Sequence, residues 1–83
     1  SIINGVLDNI DNIDKLISDN LSCNWSFERL SVTEKTILRL ATYELCFEKN
    51  FKKKTIVNEY ISIMTVFGGD PNFANAILEK ISE

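Results

Sequence analysis

The chain has 83 residues, which is enough for one small domain with a modest core. Its 45% hydrophobic and 25% charged residues are ordinary for a globular protein and exclude a disordered or low-complexity chain. The net charge of −3 lacks the basic excess typical of nucleic-acid-binding proteins, and the absence of histidine leaves a zinc site without its usual ligands.

The cysteines and the hydropathy pattern give expectations about the cellular compartment. Cys23 and Cys46 do not form a C-x-x-C arrangement, so we interpret them as reduced thiols of a cytosolic protein. No apolar run approaches the roughly 18 residues of a membrane span, and the N-terminus lacks the pattern of a signal peptide. The sequence therefore predicts a cytoplasmic protein with no membrane association, no metal and no cofactor.

The first predicted element is an amphipathic helix over residues 2–20. Its apolar residues recur at intervals of three and four, as one face of a helix requires: Ile3, Val6, Ile10, Ile13 and Ile17. The other side is acidic, and we interpret it as a solvated face: Asp8, Asp11, Asp14 and Asp19 against Lys15. We expect Trp25 and Phe27, in the following connection, to fill the junction between helices.

The central helix is predicted over residues 32–48. Ser31 and Glu34 have the S-x-x-E spacing of a capping box, which satisfies two backbone N–H groups at a helix start. Apolar positions then cover more than half of the helix circumference, so we expect several neighbours to bury it. The narrow polar arc holds Lys35, Arg39, Thr42 and Cys46. Glu44 falls inside the apolar arc, so we expect a buried carboxylate that caps a helix or pairs with a basic residue.

Two more helices are predicted, over residues 54–67 and 71–82. The lysine trio Lys52–Lys54 precedes the first, and we interpret it as a solubilising turn whose charges are able to contact phosphate. Gly68–Pro71 separates the two helices with glycine for a left-handed cap, aspartate for an N-cap and proline for the first helical position. Four main helices without a strand pattern predict an all-α small helical bundle, a single domain over residues 1–83.

No set of residues in the sequence indicates catalysis. There is no histidine to act as a base, Cys46 has no activating partner, and Gly68-Gly69 lacks the spacing of a phosphate-binding loop. Burial could bring the pKa of Glu44 into a useful range, but a structural role is favoured. We therefore predict that the chain is not an enzyme.

Six short motifs follow one another along the chain. They are N-W-S at residues 24–26, E-R-L-S at 28–31, I-L-R-L-A-T-Y-E-L at 37–45, I-V-N-E at 56–59, F-G-G-D at 67–70 and F-A-N-A-I-L at 73–78. Each alone is weak, but their combination at these separations is specific. The set resembles the transcription antitermination factor NusB family. It implies that the chain is the C-terminal portion of a NusB-like fold, with the N-terminal helices of the family missing.

The resemblance implies RNA binding rather than catalysis. Family members pair with the ribosomal protein NusE and bind the boxA element of ribosomal RNA leader transcripts, within the RNA polymerase antitermination complex. Position by position, the resemblance places Phe73 at the RNA surface to stack on a base and Asn75 there to hydrogen-bond a base or the backbone. Asp70 matches an acidic position near that surface, Lys54 matches the loop lysine, and Glu34 is a candidate for the NusE contact.

Other residues of the motifs are expected to be structural: Arg39, Tyr43, Glu44, Asn58 and Glu59. The helical pattern alone assigns Phe73 to the buried arc of the last helix, in disagreement with its RNA-facing position in the family. The chain also departs from the family pattern by being about two residues shorter between Gly69 and Phe73. Asn72 stands where a basic residue is common, which removes a phosphate contact.

Two alternative functions remain open at this point. The N-terminal domain of a ribosomal RNA cytosine methyltransferase also resembles NusB, so the chain could be part of an enzyme. The second alternative is a helical protein–protein interaction module without RNA binding, which self-associates into a homodimer through uncovered faces. A methyl-donor-binding domain downstream would favour the first alternative.

Overall fold

The computed structural model of the chain describes residues 2–21, 24–47 and 52–82. Within these ranges it contains five α-helices and one 3₁₀ turn, and no strand: α1 (Ile2–Asp8), α2 (Ile10–Asn20), the turn Phe27–Arg29, α3 (Val32–Phe47), α4 (Lys53–Val66) and α5 (Pro71–Ser82). The predicted all-α bundle is confirmed. Ser1, Cys23, the predicted helix end at residue 48 and the turn residues 48–51 lie outside the described residues.

The predicted first helix is wrong in one respect, because it is broken at Asn9 into α1 and α2. The Asn9 side-chain Nδ2 donates to the Gly5 carbonyl at 2.9 Å, and the Asn9 backbone N–H donates to both Gly5 and Val6 carbonyls at 3.2 Å. Asparagine favours such local bonds, which compete with regular helical pairing. Gly5 also lets α1 approach α3 closely, since a Cβ there would overlap the Tyr43 ring.

The predicted capping box at the start of α3 is confirmed. The Glu34 backbone N–H donates to Ser31 Oγ at 3.0 Å, and the Ser31 backbone N–H donates to Glu34 Oε1 at 2.9 Å. Two N–H groups at the helix start are therefore satisfied reciprocally. α3 then contacts all four other helices, as expected of the central element.

The turn between α4 and α5 also follows the sequence prediction. Gly68 has a positive φ of 83°, and the Gly69 N–H donates to the Met64 carbonyl at 2.9 Å, which closes the end of α4. Asp70 Oδ1 then accepts hydrogen bonds from the backbone N–H groups of Asn72 at 2.9 Å and Phe73 at 3.4 Å. Asp70 is thus the N-cap of α5, which fixes the direction of that helix.

The core lies where α2, α3, α4 and α5 meet. Its five largest fully buried apolar side chains are Ile13, Ile17, Leu38, Met64 and Leu78. Thr42 is also fully buried, which corrects its prediction on the polar arc of α3, and its Oγ1 lacks a hydrogen-bond partner within the described residues. Because four other helices pack against α3, the bundle covers part of the arc that the helical pattern left polar.

Other apolar side chains that the periodicity predicts as buried are exposed. They line two adjoining apolar grooves of about 310 Å³ each, which share Thr36 and Leu40 on α3. We call this surface the open face; its members are Ile3, Leu7, Val32, Thr36, Leu40, Ile63 and Phe67. Ile3 is 66% exposed and Phe67 is 67% exposed, because no described element packs over them.

Candidate nucleic-acid interface

The structure brings two of the predicted RNA-contacting residues together in one groove between α4 and α5. Lys54 and Asn75 both line this groove, whose volume is about 410 Å³. Its other lining residues are Lys53, Val57, Asn58, Glu79 and Ser82. Lys54 is exposed and Asn75 is half-buried. We call this surface the α4–α5 groove.

The spacing of the polar residues explains how the α4–α5 groove forms. Lys54 and Asn58 are four residues apart on α4, and Asn75 and Glu79 are four residues apart on α5, so each pair shares one helical face. Asn58, for which a structural role is predicted, is exposed in this groove. The spacing is visible in the sequence, but the pairing of the two faces depends on how α4 packs against α5.

The lysines of the groove have different surroundings. Lys53 Nζ donates to the Ser82 backbone carbonyl at 2.7 Å, which places a cation at the end of α5, where the helix dipole favours it. Lys54 is a second exposed cation of the groove wall, and the Asn75 amide offers both a donor and an acceptor. A point charge beside an amide suits a phosphate and a base edge, while the Glu79 carboxylate limits the positive potential.

Asp70 and Glu34 lie together in a second, separate groove of about 260 Å³. It is lined by Ser31, Thr33, Glu34, Met64, Phe67, Gly68, Gly69 and Asp70. Both carboxylates accept backbone hydrogen bonds at helix starts, Asp70 at α5 and Glu34 at α3. The predicted acidic RNA-side residue and the predicted NusE contact are therefore neighbours, whereas the sequence treats them as belonging to different surfaces.

Phe73 lies apart from both grooves. It is half-buried and packs against the core, and its ring centroid is 5.2 Å from that of Trp25 with the planes tilted by 40°. The helical pattern was right to assign it to the apolar side of α5. Trp25 was expected to fill the interhelical junction, but 46% of its surface is exposed, and it packs on the Phe73 ring rather than within the core.

Arg39 forms an ion pair that the sequence did not predict. Its Nε and Nη2 donate to Asp14 Oδ1 at 2.7 Å and Oδ2 at 2.8 Å, so α3 is joined to α2 in a bidentate arrangement. The hydrogen bond to Asp14 raises the pKa of Arg39 above its ordinary value, against a smaller opposing effect of burial. The interpretation of Asp14 as part of a solvated face is wrong. Its partner lies 25 residues away in the sequence, so local spacing did not indicate the pair.

Phe27 lies beneath two cations of α3. The Lys35 ammonium is 5.0 Å and the Arg39 guanidinium 5.4 Å from its ring centroid. Both distances are within the range of cation–π attraction. The half-buried Phe27 also packs against the core, as predicted for the junction. The 3₁₀ turn is thereby held against α3.

Glu44 is half-buried, and its partner is a tyrosine rather than a basic residue or a helix end. Burial, and then the charge and hydrogen bond of Glu44, raise the pKa of Tyr60 well above its ordinary value. Tyr43 lies against Gly5 of α1 and stacks on Phe47 at 5.4 Å between ring centroids. Glu59 is exposed on α4, so its predicted structural role stays a prediction.

The described residues offer little for redox or metal chemistry. Residues 2–21, 24–47 and 52–82 hold no group of three or more Cys, Asp and Glu side chains placed to bind a metal ion. Cys46 is exposed, and desolvation raises the pKa of its thiol despite the opposing charge of Lys53. In the same part of the chain, none of the helices combines the length and apolar character needed to cross a bilayer.

Comparison with known proteins gives one consistent result. The model of the NusB family matches residues 1–83. The transcription antitermination protein NusB of Fervidobacterium nodosum is 41% identical in an alignment of 83 positions, which covers 98% of this chain and 58% of that protein. The protein of the same name from Thermotoga maritima is 42% identical, with the same coverage.

A solved structure agrees with the sequence comparison. Thermotoga maritima NusB in its second crystal form, space group P3121, superposes with a TM-score of 0.90 at 42% identity. The match covers 98% of this chain and 58% of that one, so the chain spans about 58% of the length of the relatives it matches. These relatives are named as antitermination proteins rather than methyltransferases. The whole-chain family match and the shared fold show that this chain belongs to the NusB family.

Proposed function

We propose that the chain is the RNA-binding portion of a cytoplasmic antitermination factor, folded as one domain and without catalytic activity. With the ribosomal protein NusE, it binds boxA RNA of ribosomal RNA leader transcripts within the RNA polymerase antitermination complex. The observation that carries the proposal is the juxtaposition of Lys54 and Asn75 in the α4–α5 groove, two positions separated by 21 residues in sequence (75 − 54). Membership of the NusB family supports it independently.

Each predicted contact has a distinct role in this proposal. Asn75 hydrogen-bonds a base or the RNA backbone, and Lys54 neutralises a phosphate as a point charge. Phe73 presents the exposed part of its ring for stacking. Asp70 moderates the attraction for phosphate near the start of α5, and Glu34, which lines the same groove as Asp70, contacts NusE.

The proposal is tested by fluorescence anisotropy with labelled boxA RNA and a scrambled RNA of equal length. The protein at its full natural length is mixed with NusE, and affinities are compared at several salt concentrations. We expect a clear preference for boxA. Equal affinity for the scrambled RNA would contradict the assignment.

Matched variants test the residues of the groove. Asn75→Ala should weaken boxA binding by about tenfold, because a hydrogen bond is lost where its partner stays desolvated. Lys54→Gln should weaken boxA binding less than Asn75→Ala does. It should also reduce the slope of log affinity against log salt concentration by about one, because one fewer counterion is released. Asn12→Ala and Lys15→Gln change the same residue types at exposed positions of α2 and should have no effect. Unchanged boxA binding in both Asn75→Ala and Lys54→Gln would show that the groove is not the contact.

A further inference from the structure

Trp25 is exposed in a way that needs explanation. It is the sole tryptophan of the chain, and 46% of its surface is accessible although large aromatic side chains are normally well covered. It lies between α2 and the 3₁₀ turn, and the next residue, Ser26, has an extended backbone with φ of −125° and ψ of 152°. Trp25 therefore lies in the segment that connects two helices and not on the face of a helix.

The indole is nevertheless held in place. Its ring packs at 5.2 Å on Phe73, whose backbone N–H is bound by Asp70 at the start of α5. Phe73 in turn packs against the core. One side of Trp25 is thus fixed to a rigid helix terminus while nearly half of its surface stays accessible. An aromatic group ordered before binding loses little conformational entropy when a ligand stacks on it.

Polar and cationic groups adjoin this aromatic pair. Phe73 forms one wall of a cavity of about 110 Å³ whose other lining residues are Asn20, Leu21, Ala76, Ile77 and Lys80. Lys80 is exposed in the last turn of α5. An aromatic surface next to a cation is the combination that single-stranded nucleic acids require, since bases stack on the rings and phosphates pair with the charge.

We propose that Trp25, packed on Phe73, is a stacking platform for an unpaired RNA base, with Lys80 near the adjacent phosphate. This inference rests on the RNA-binding function proposed above and adds a contact on the side of α5 opposite to Asn75. Trp25 provides most of the accessible aromatic surface, and Phe73 supports it. In this arrangement the RNA contacts both sides of α5, with Asn75 on one side and the Trp25–Phe73 pair and Lys80 on the other.

The fluorescence of Trp25 tests the platform without any change at that residue. The full-length protein is used with NusE, and any other tryptophan it contains is replaced by phenylalanine. A base stacked on the indole should quench its emission and protect it from acrylamide. We expect both effects with boxA RNA and much smaller ones with the scrambled RNA.

Variants separate stacking from a purely structural role. Trp25→Leu should weaken boxA binding by about fivefold or more, since one stacking contact is lost. Trp25→Phe keeps an aromatic ring and should stay within about twofold of the unmodified protein. Phe47→Leu is the matched control, because Phe47 is also a partly exposed aromatic residue, at 39%, that stacks on another ring but lines neither groove. Thermal unfolding of each variant shows whether folding is retained.

Each outcome distinguishes this inference from the proposed function. If boxA is preferred but Trp25 emission and acrylamide access do not change, the platform is wrong while RNA binding stands. If NusE alone changes the emission and RNA adds nothing, Trp25 is a protein contact and the platform is again wrong. If boxA is not preferred at all, the proposed function itself fails.

Discussion

The molecule places apolar side chains in two contrasting regions, the core and the open face. Ile13 in α2 is fully buried, whereas Ile3 in α1 is 66% exposed, although both belong to the same apolar stripe of the sequence. Leu38 and Val32 of α3 differ in the same way, at 0% and 80%. Helical periodicity selects the positions that suit burial. Whether these positions are buried depends on which other helices pack against them. The periodicity of a single helix gives no information about that packing.

The largest expected effect contrasts the same substitution in the two regions. Leu38→Ala should reduce the free energy of unfolding of the 83-residue chain by about 2–5 kcal/mol, because it removes buried methyl groups and leaves a cavity. Leu7→Ala, at a position 60% exposed on the open face, should change it by no more than about 0.5 kcal/mol. Urea denaturation followed by circular dichroism measures both. Equal losses would show that the open face is covered in solution.

A smaller effect is expected at the boundary between the two regions, where Arg39 lines one of the two apolar grooves beside the open-face residues and binds Asp14. Arg39→Met keeps an unbranched stem but leaves the Asp14 carboxylate, 26% exposed, without its bidentate partner. We expect a loss of about 1–2 kcal/mol in the free energy of unfolding. Lys35→Met is the matched control, as it removes a cation above the same Phe27 ring without breaking that ion pair.

A double-mutant cycle with Asp14→Asn isolates the pair itself. The coupling energy should be close to the loss in Arg39→Met, because the two side chains bind each other directly. High salt should reduce the coupling only in part, since both groups are about three-quarters covered. A coupling near zero would mean that Arg39 acts through packing on Phe27 alone.

The sequence predicted the parts of the fold that depend on neighbouring residues. Ser31 with Glu34, and Gly68 with Asp70, are local signals whose partners lie within a few positions, and both were confirmed. The fully buried Thr42 was missed because its burial depends on helices that pack against α3 from other parts of the chain. Local spacing thus predicted helix ends more accurately than burial.

The candidate site shows the same difference between local features, which the sequence indicates, and long-range contacts, which it does not. The Asp14–Arg39 pair spans 25 residues, and the Glu44–Tyr60 bond joins α3 to α4, so no local pattern could indicate either. Lys54 and Asn75 came from resemblance to the NusB family, and only the packing of α4 on α5 brings them into one groove. Long-range pairing is decided by the three-dimensional arrangement of the helices, which a single sequence does not display.

The smallest expected effect compares two threonines of α3, one in each region. Thr42 is buried with its hydroxyl unpartnered within the described residues, so Thr42→Val should increase the free energy of unfolding by about 1 kcal/mol by removing an unsatisfied polar group. Thr36 is exposed on the open face and donates to the Val32 carbonyl at 2.8 Å, so Thr36→Val should change little. Thermal and urea unfolding measure both. If Thr42→Val is destabilising, the Thr42 hydroxyl forms a hydrogen bond in solution. The core then contains a satisfied polar group, and its removal costs stability.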